Sequence, residues 1–248
     1  MKVLLINPNT SASITDRLMA SASAAAGHDT ELIPLTAERG VPYIASRIEA
    51  TIASEVVIEL LAHHAPGADG AIIAAFGDPG LGAARELVDC PVVGLAEAGM
   101  LTACMMGKRF SIVSFAQALA PWYRETVEWH RLTSRLASIR MPEENFETID
   151  DVQNEMQETL VRLAQSAVRE DLADVIVFGG APLSGLVNAV SKDIPVPVID
   201  CAAAAVMQIE TLIRLDLRHP VAGTFRRPPA KPSSGLAPAL AQRILHND

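Results

Sequence analysis

Short apolar runs that end in polar turns recur along the chain, and the segments between them carry apolar residues at helical spacing. Val3–Ile6 is the first run. It is stopped by Asn7-Pro8-Asn9 and reads as a buried strand entering a turn. A hydroxyl at Thr10 or Ser11 is placed to cap a helix running to Ala25. Ser46–Ala62 spaces Ile48, Ile52, Val56 and Leu60 as a helix does, and Ala71–Ala75 is a second strand. A helix over Leu81–Leu87, a strand at Pro91–Gly94 and a helix over Ala96–Met106 follow. Such alternation predicts a mostly parallel sheet covered on both faces.

The order then repeats. Phe110–Phe115 matches the first strand, Asp174–Phe178 with Gly179-Gly180 the second, and Pro197–Asp200 the third. The offsets are 107 (6 to 113), 105 (75 to 180) and 106 (91 to 197), which predicts two similar α/β halves. We expect residues 1–97 plus about 205–248 to form the first domain and 98–204 the second. Val152, Met156, Leu160 and Leu163 predict an amphipathic helix on the outside of the second half. The Pro-rich stretch from His219 to Pro238 predicts an extended arm before a short terminal helix. The fold class is therefore α/β: two pseudo-symmetric Rossmann-like domains with parallel-rich sheets and a crevice between them, where ligands bind at the carboxyl ends of strands.

Composition narrows the function. Half of the 248 residues are hydrophobic but only 4% are aromatic, which favours layered helix and sheet over an aromatic-rich sandwich. A net charge of −9 argues against nucleic acid or an anionic membrane as partner. No apolar run approaches the ~20 residues of a membrane span. The opening run at Met1–Ile6 ends too early for a signal peptide. Three cysteines, Cys90, Cys104 and Cys201, are an odd count without metal or redox spacing, which points to a reduced, cytoplasmic chain.

The crevice turns hold the candidate chemistry. Asn7, Asn9 and Thr10 offer amide and hydroxyl groups beside a helix start, suited to a small carboxylate, imide or amide. In Phe76-Gly77-Asp78-Pro79-Gly80, Asp78 is a candidate general base or a helix cap. Gly180, Ala181 and Ser184 lie in a Gly-rich turn that offers bare amides to an oxyanion, and Ser114 ends the facing strand. Glu97 either enters the crevice or pairs with a neighbouring charge, and Tyr43 sits in a loop able to fold over the opening. Trp122-Tyr123 and Trp129-His130 read as helix packing. No metal motif, dinucleotide fingerprint or P-loop is present, so a nucleotide cofactor is not expected.

These landmarks together resemble the Asp/Glu racemase superfamily, in its hydantoin racemase branch. The likeness rests on Ile6-Asn7-Pro8-Asn9-Thr10-Ser11, Phe76-Gly77-Asp78-Pro79-Gly80-Leu81, Pro91-Val92-Val93-Gly94, Arg109–Val113 and Pro197–Asp200. The resemblance implies two pseudo-symmetric domains, no cofactor and commonly a homo-oligomer. It also implies racemisation by two thiols, one on each face of a planar intermediate. The matching positions are Ala75 and Gly180, so a two-thiol route is closed to this chain. Isomerase chemistry with other bases, such as Asp78 with Tyr43 or Glu97, is one remaining reading. A lyase, decarboxylase or hydrolase relying on backbone amides is another, and a non-catalytic binder of small molecules is a third.

Overall fold

A computed structural model describes residues 1–144, 146–217 and 219–247. It contains two four-stranded parallel sheets of identical order. The first runs β2 (Glu31–Thr36), β1 (Lys2–Asn7), β3 (Gly70–Ile73), β4 (Val92–Gly94). The second runs β6 (Leu136–Arg140), β5 (Phe110–Val113), β7 (Val175–Phe178), β8 (Val198–Asp200). The two halves are thus pseudo-symmetric, as the offsets predict.

Central strands are legible because both of their faces are buried. All residues of β3, β5 and β7 are buried, which is what an unbroken apolar run requires. Two strands do not stand out in the sequence, β2 and β6. Both are edge strands with half-exposed side chains, and β2 contains Pro34, which an edge position tolerates.

The helices α1 (Ala12–Ala25), α2 (Arg47–His64), α3 (Leu81–Leu87) and α4 (Leu95–Met106) alternate with the first sheet. In the second half come α5 (Ala120–Trp129), α6 (Val152–Asp171), the single turn α7 (Val187–Val190) and α8 (Cys201–Arg214), and α9 (Pro238–Leu245) closes the chain. The cap expected at the start of α1 takes another form. Ser11 is its N-cap residue but makes no side-chain cap bond. Asn9 Oδ1 accepts from Ser11 N at 3.0 Å instead.

Two helices knit the halves together. Helix α4 leaves the first sheet and packs on β7, while α8 leaves the second and packs on α1, α4 and β3. The expected domain crossings at 97/98 and 204/205 fall inside α4 and α8, which run unbroken through them. One apolar core consequently spans both halves, joining Leu5, Ile72 and Val93 to Ile112, Val177 and Val206. A second core fills the space between the first sheet and α2–α3 around Leu4, Ile73, Val57 and Leu61.

Candidate active site

In a sheet of this order the chain leaves its two central strands toward opposite sides, so the carboxyl ends of those strands leave a crevice. The turns after β1 and β3 supply Asn9, Ala75 and Phe76, and those after β5 and β7 supply Phe115, Gly180 and Ala181. All six line one cavity, together with Tyr43, Ile44, Trp122, Tyr123 and Pro182. Its volume is about 20 Å³, room for roughly a single water.

Asn7 is wholly buried and internally satisfied: its Nδ2 donates to Asn9 Oδ1, Ser11 O and Thr15 Oγ1 at 3.0–3.1 Å. It holds the turn that presents Asn9. Asn9 is also buried, and its Oδ1 accepts from Asn7 and Ser11, which leaves the Nδ2 donor without a partner among the described residues. The backbone amides of Phe76, Gly180 and Ala181 likewise donate to no group among the described residues. Thr10 donates its backbone amide to Val41 O at 3.0 Å, tying this turn to the loop that carries Tyr43. Ser114 Oγ donates to Gly179 O at 2.5 Å and braces the Gly-rich turn. Ser184 is buried, and its carbonyl accepts from Gln153 at 2.9 Å, so it stands behind the turn.

The two carboxylates singled out in the sequence are engaged elsewhere. Asp78 sits at φ 50°, a left-handed conformation that aspartate tolerates, and points away from the cavity. Its Oδ1 accepts from Ala96 N and its Oδ2 from Glu97 N, both at 2.8 Å, so it caps α4. His130 Nε2 lies 3.0 Å from the same Oδ2. Burial pushes the Asp78 carboxyl above its usual range, against the downward pull of His130 and the two amides. Glu97 forms a two-pronged ion pair with Arg85 at 3.0 and 2.5 Å, and its Oε1 is 3.7 Å from His130 Nδ1. The result is a chain, Asp78–His130–Glu97–Arg85, buried at its Asp78–His130 end and half-buried at Glu97 and Arg85. Neither carboxylate reaches the cavity.

Sequence reasoning passed over Trp122, Tyr123 and His130 as packing. Trp122 and Tyr123 are cavity wall, and Trp122 lies over Gly77, where an added Cβ would stand 2.3 Å from the indole. A Gly at φ 116° next to a tryptophan is the trace such packing leaves, but the partners are 45 residues apart (77 to 122). The ionisable side chains on the wall are Tyr43 and Tyr123. Burial pushes the Tyr123 phenol up, with Ser114 beside it pulling it down, so Tyr123 remains protonated and able to donate.

The family described as Asp/Glu/Hydantoin racemase matches residues 3–209. The chain belongs to this family. It is 34% identical to the hydantoin racemase of Paenarthrobacter aurescens, over 93% of this chain and 99% of that one. It is 33% identical to the hydantoin racemase of Pseudomonas sp. (strain NS671), over 93% of each. Among solved structures, the allantoin racemase from Klebsiella pneumoniae superposes with a TM-score of 0.91 at 34% identity, over 97% of this chain and 98% of that one.

Within this racemase fold, Ala75 and Gly180 both line the cavity, and neither has a proton-carrying side chain. The cysteines do not stand in for them. Cys201 is buried and donates to Phe178 O at 3.3 Å, and its thiol is pushed well up by burial. Burial raises Cys90 to about 11 and also raises Cys104. Thiolate is the reactive form, so Cys90 alkylation should speed up about tenfold per pH unit until about pH 11. Intact-mass analysis after iodoacetamide treatment at neutral pH should find Cys90 and Cys201 unmodified. Rapid labelling of either one in the folded protein would contradict this placement. Among the described residues, no His, Cys, Asp and Glu cluster suited to a metal occurs, and no helix is long and apolar enough to cross a membrane.

Proposed function

We propose that this protein is a cofactor-independent isomerase of small cyclic amides of the hydantoin class, working without thiols. The observation that carries the reading is a cavity at the paired switch points that is lined, among the described residues, by unpartnered donors and by tyrosines as its titratable side chains. Removing the C5 proton of a hydantoin moves charge onto the neighbouring carbonyl oxygen. Asn9 Nδ2 and the amides of Phe76, Gly180 and Ala181 supply donors for that oxygen. Tyr43, from the first half, is the proton-transfer group on one face. Tyr123, beside Gly180, returns a proton from the other side as phenol. Asp78 and Glu97 act through the frame: they hold the Phe76–Gly80 turn and the start of α4. A cytoplasmic homo-oligomer belongs to the same reading, supported by three unpaired cysteines and by Leu101, Met105 and Met207 left exposed on α4 and α8.

The test is a single enantiomer of a 5-monosubstituted hydantoin in deuterium oxide, followed by NMR and chiral chromatography. Deuterium should enter at C5 with inversion. Tyr43→Phe should slow both by about 100-fold or more, the range of a lost general acid–base group. Exchange no faster than in buffer would sink the reading. Undiminished exchange in Tyr43→Phe would remove that residue from it.

A further inference from the structure

The cavity is too small for any hydantoin, and a specific set of contacts keeps it so. The sequence holds ten aromatic residues (Phe 6, Trp 2, Tyr 2), and five of them line this one cavity: Tyr43, Phe76, Phe115, Trp122 and Tyr123. A sixth, Phe146, packs edge-on against two of these wall residues, with its ring centroid 6.0 Å from Tyr43 and 5.6 Å from Phe115. Phe146 belongs to the connection between β6 and α6 in the second half, whereas Tyr43 belongs to the first. Its ring therefore bridges the crevice.

The same connection is fastened to the first half by polar bonds from α1. Arg17 donates to Asp150 O at 2.7 Å and to Pro182 O at 2.8 Å, and Ser13 Oγ donates to the Asp150 carboxylate. One arginine thus clasps both this connection and the Gly-rich turn of the site. Both of its acceptors are backbone carbonyls, so the clasp depends on chain position and not on a partner's charge.

We infer that Phe146 is a specificity-determining residue, whose ring occupies the subsite for a planar apolar substituent of the substrate and gives way when the Arg17 clasp opens. This inference rests on the proposed hydantoin-class reading and names the substituent that the site prefers. Aromatic walls that take a phenylalanine ring edge-on take an aryl ring of a ligand in the same geometry. An aryl group on the reacting carbon also delocalises the carbanion, which suits a site whose bases are phenols. A polar ureido substituent would meet, from these six rings, only the two phenol hydroxyls and the Trp122 indole N–H.

Binding is measured by calorimetry with two ligands that have no C5 hydrogen and cannot turn over, 5-methyl-5-phenylhydantoin and 5,5-dimethylhydantoin. Phe146→Ala vacates the subsite, so the phenyl ligand should bind about tenfold more tightly and the dimethyl ligand less than about threefold, as for a site freed of an internal competitor. Arg17→Gln opens the clasp without enlarging the box, so both ligands should tighten by one common factor. A phenyl Kd that is unchanged or raised in Phe146→Ala overturns the subsite, as does equal tightening of both ligands. Unchanged Kd values in Arg17→Gln overturn the clasp. Phe146→Leu, expected to fall between wild type and Phe146→Ala, serves if the alanine variant does not fold. Failure of the racemase reading shows separately, as absent deuterium exchange, because these ligands report binding alone.

Discussion

Asp78→Ala should lower the stability of the protein by about 3–5 kcal/mol, the usual cost of removing one member of a buried, hydrogen-bonded charge set. For a chain of this size that is a fall in Tm of about 8–15 °C. Three donors lose their acceptor at once: the Ala96 and Glu97 amides at the start of α4, and His130 Nε2. The amides lie at a buried helix end, where the carboxylate is their acceptor. His130 is then left against Glu97 alone. Asp78→Asn keeps the shape but accepts through one oxygen only, so it should fall between the two. Thermal unfolding followed by circular dichroism measures both. Exchange activity, expressed per folded molecule at low temperature, should survive in Asp78→Asn, because the carboxylate faces away from the cavity. A fully stable Asp78→Asn without exchange activity would return Asp78 to the role of base.

The fold was largely legible because its central strands are buried on both faces. Val3–Ile6, Ala71–Ile73 and Val175–Phe178 are apolar without interruption, Phe110–Val113 is broken only by the buried Ser111, and each leads into a turn. The duplication followed from those landmarks alone. The edge strands β2 and β6 were illegible for the opposite reason, since half-exposed side chains leave no apolar run. At the site, the four crevice turns were readable as turns and meet where the two-half reading puts them. What each polar residue does was not readable. Asp78 follows a strand as a catalytic base would, and nothing near it in sequence announces His130, 52 residues away, or the amides of Ala96 and Glu97. Phe146 lies in a segment without periodicity, and its place over Tyr43 depends on how the halves face each other.

Introducing thiols at Ala75 and Gly180 should separate the two positions sharply. Ala75→Cys replaces a methyl group on the cavity wall and should change stability by less than about 1 kcal/mol. Gly180→Cys should cost about 3 kcal/mol or more, combining a strained backbone with overpacking. Gly180 has φ 122°, a region that side chains rarely adopt. A Cβ there would also stand 2.6 Å from the Phe115 ring and 3.5 Å from the Tyr123 hydroxyl. Phe115 thus fills the space that a thiol at 180 would need, and the turn has settled into a conformation reserved for glycine. Combining Gly180→Cys with Phe115→Leu relieves the overlap but not the backbone, so it should recover only part of the loss. The measurement is denaturant unfolding of these three variants, and of the Ala75→Cys/Gly180→Cys double variant, against wild type. Equal midpoints for Ala75→Cys and Gly180→Cys would show that the turn accepts a side chain. In the expected outcome, introducing both thiols yields a weaker fold and no gain in racemisation, because Phe115 and Tyr123 occupy the space around position 180.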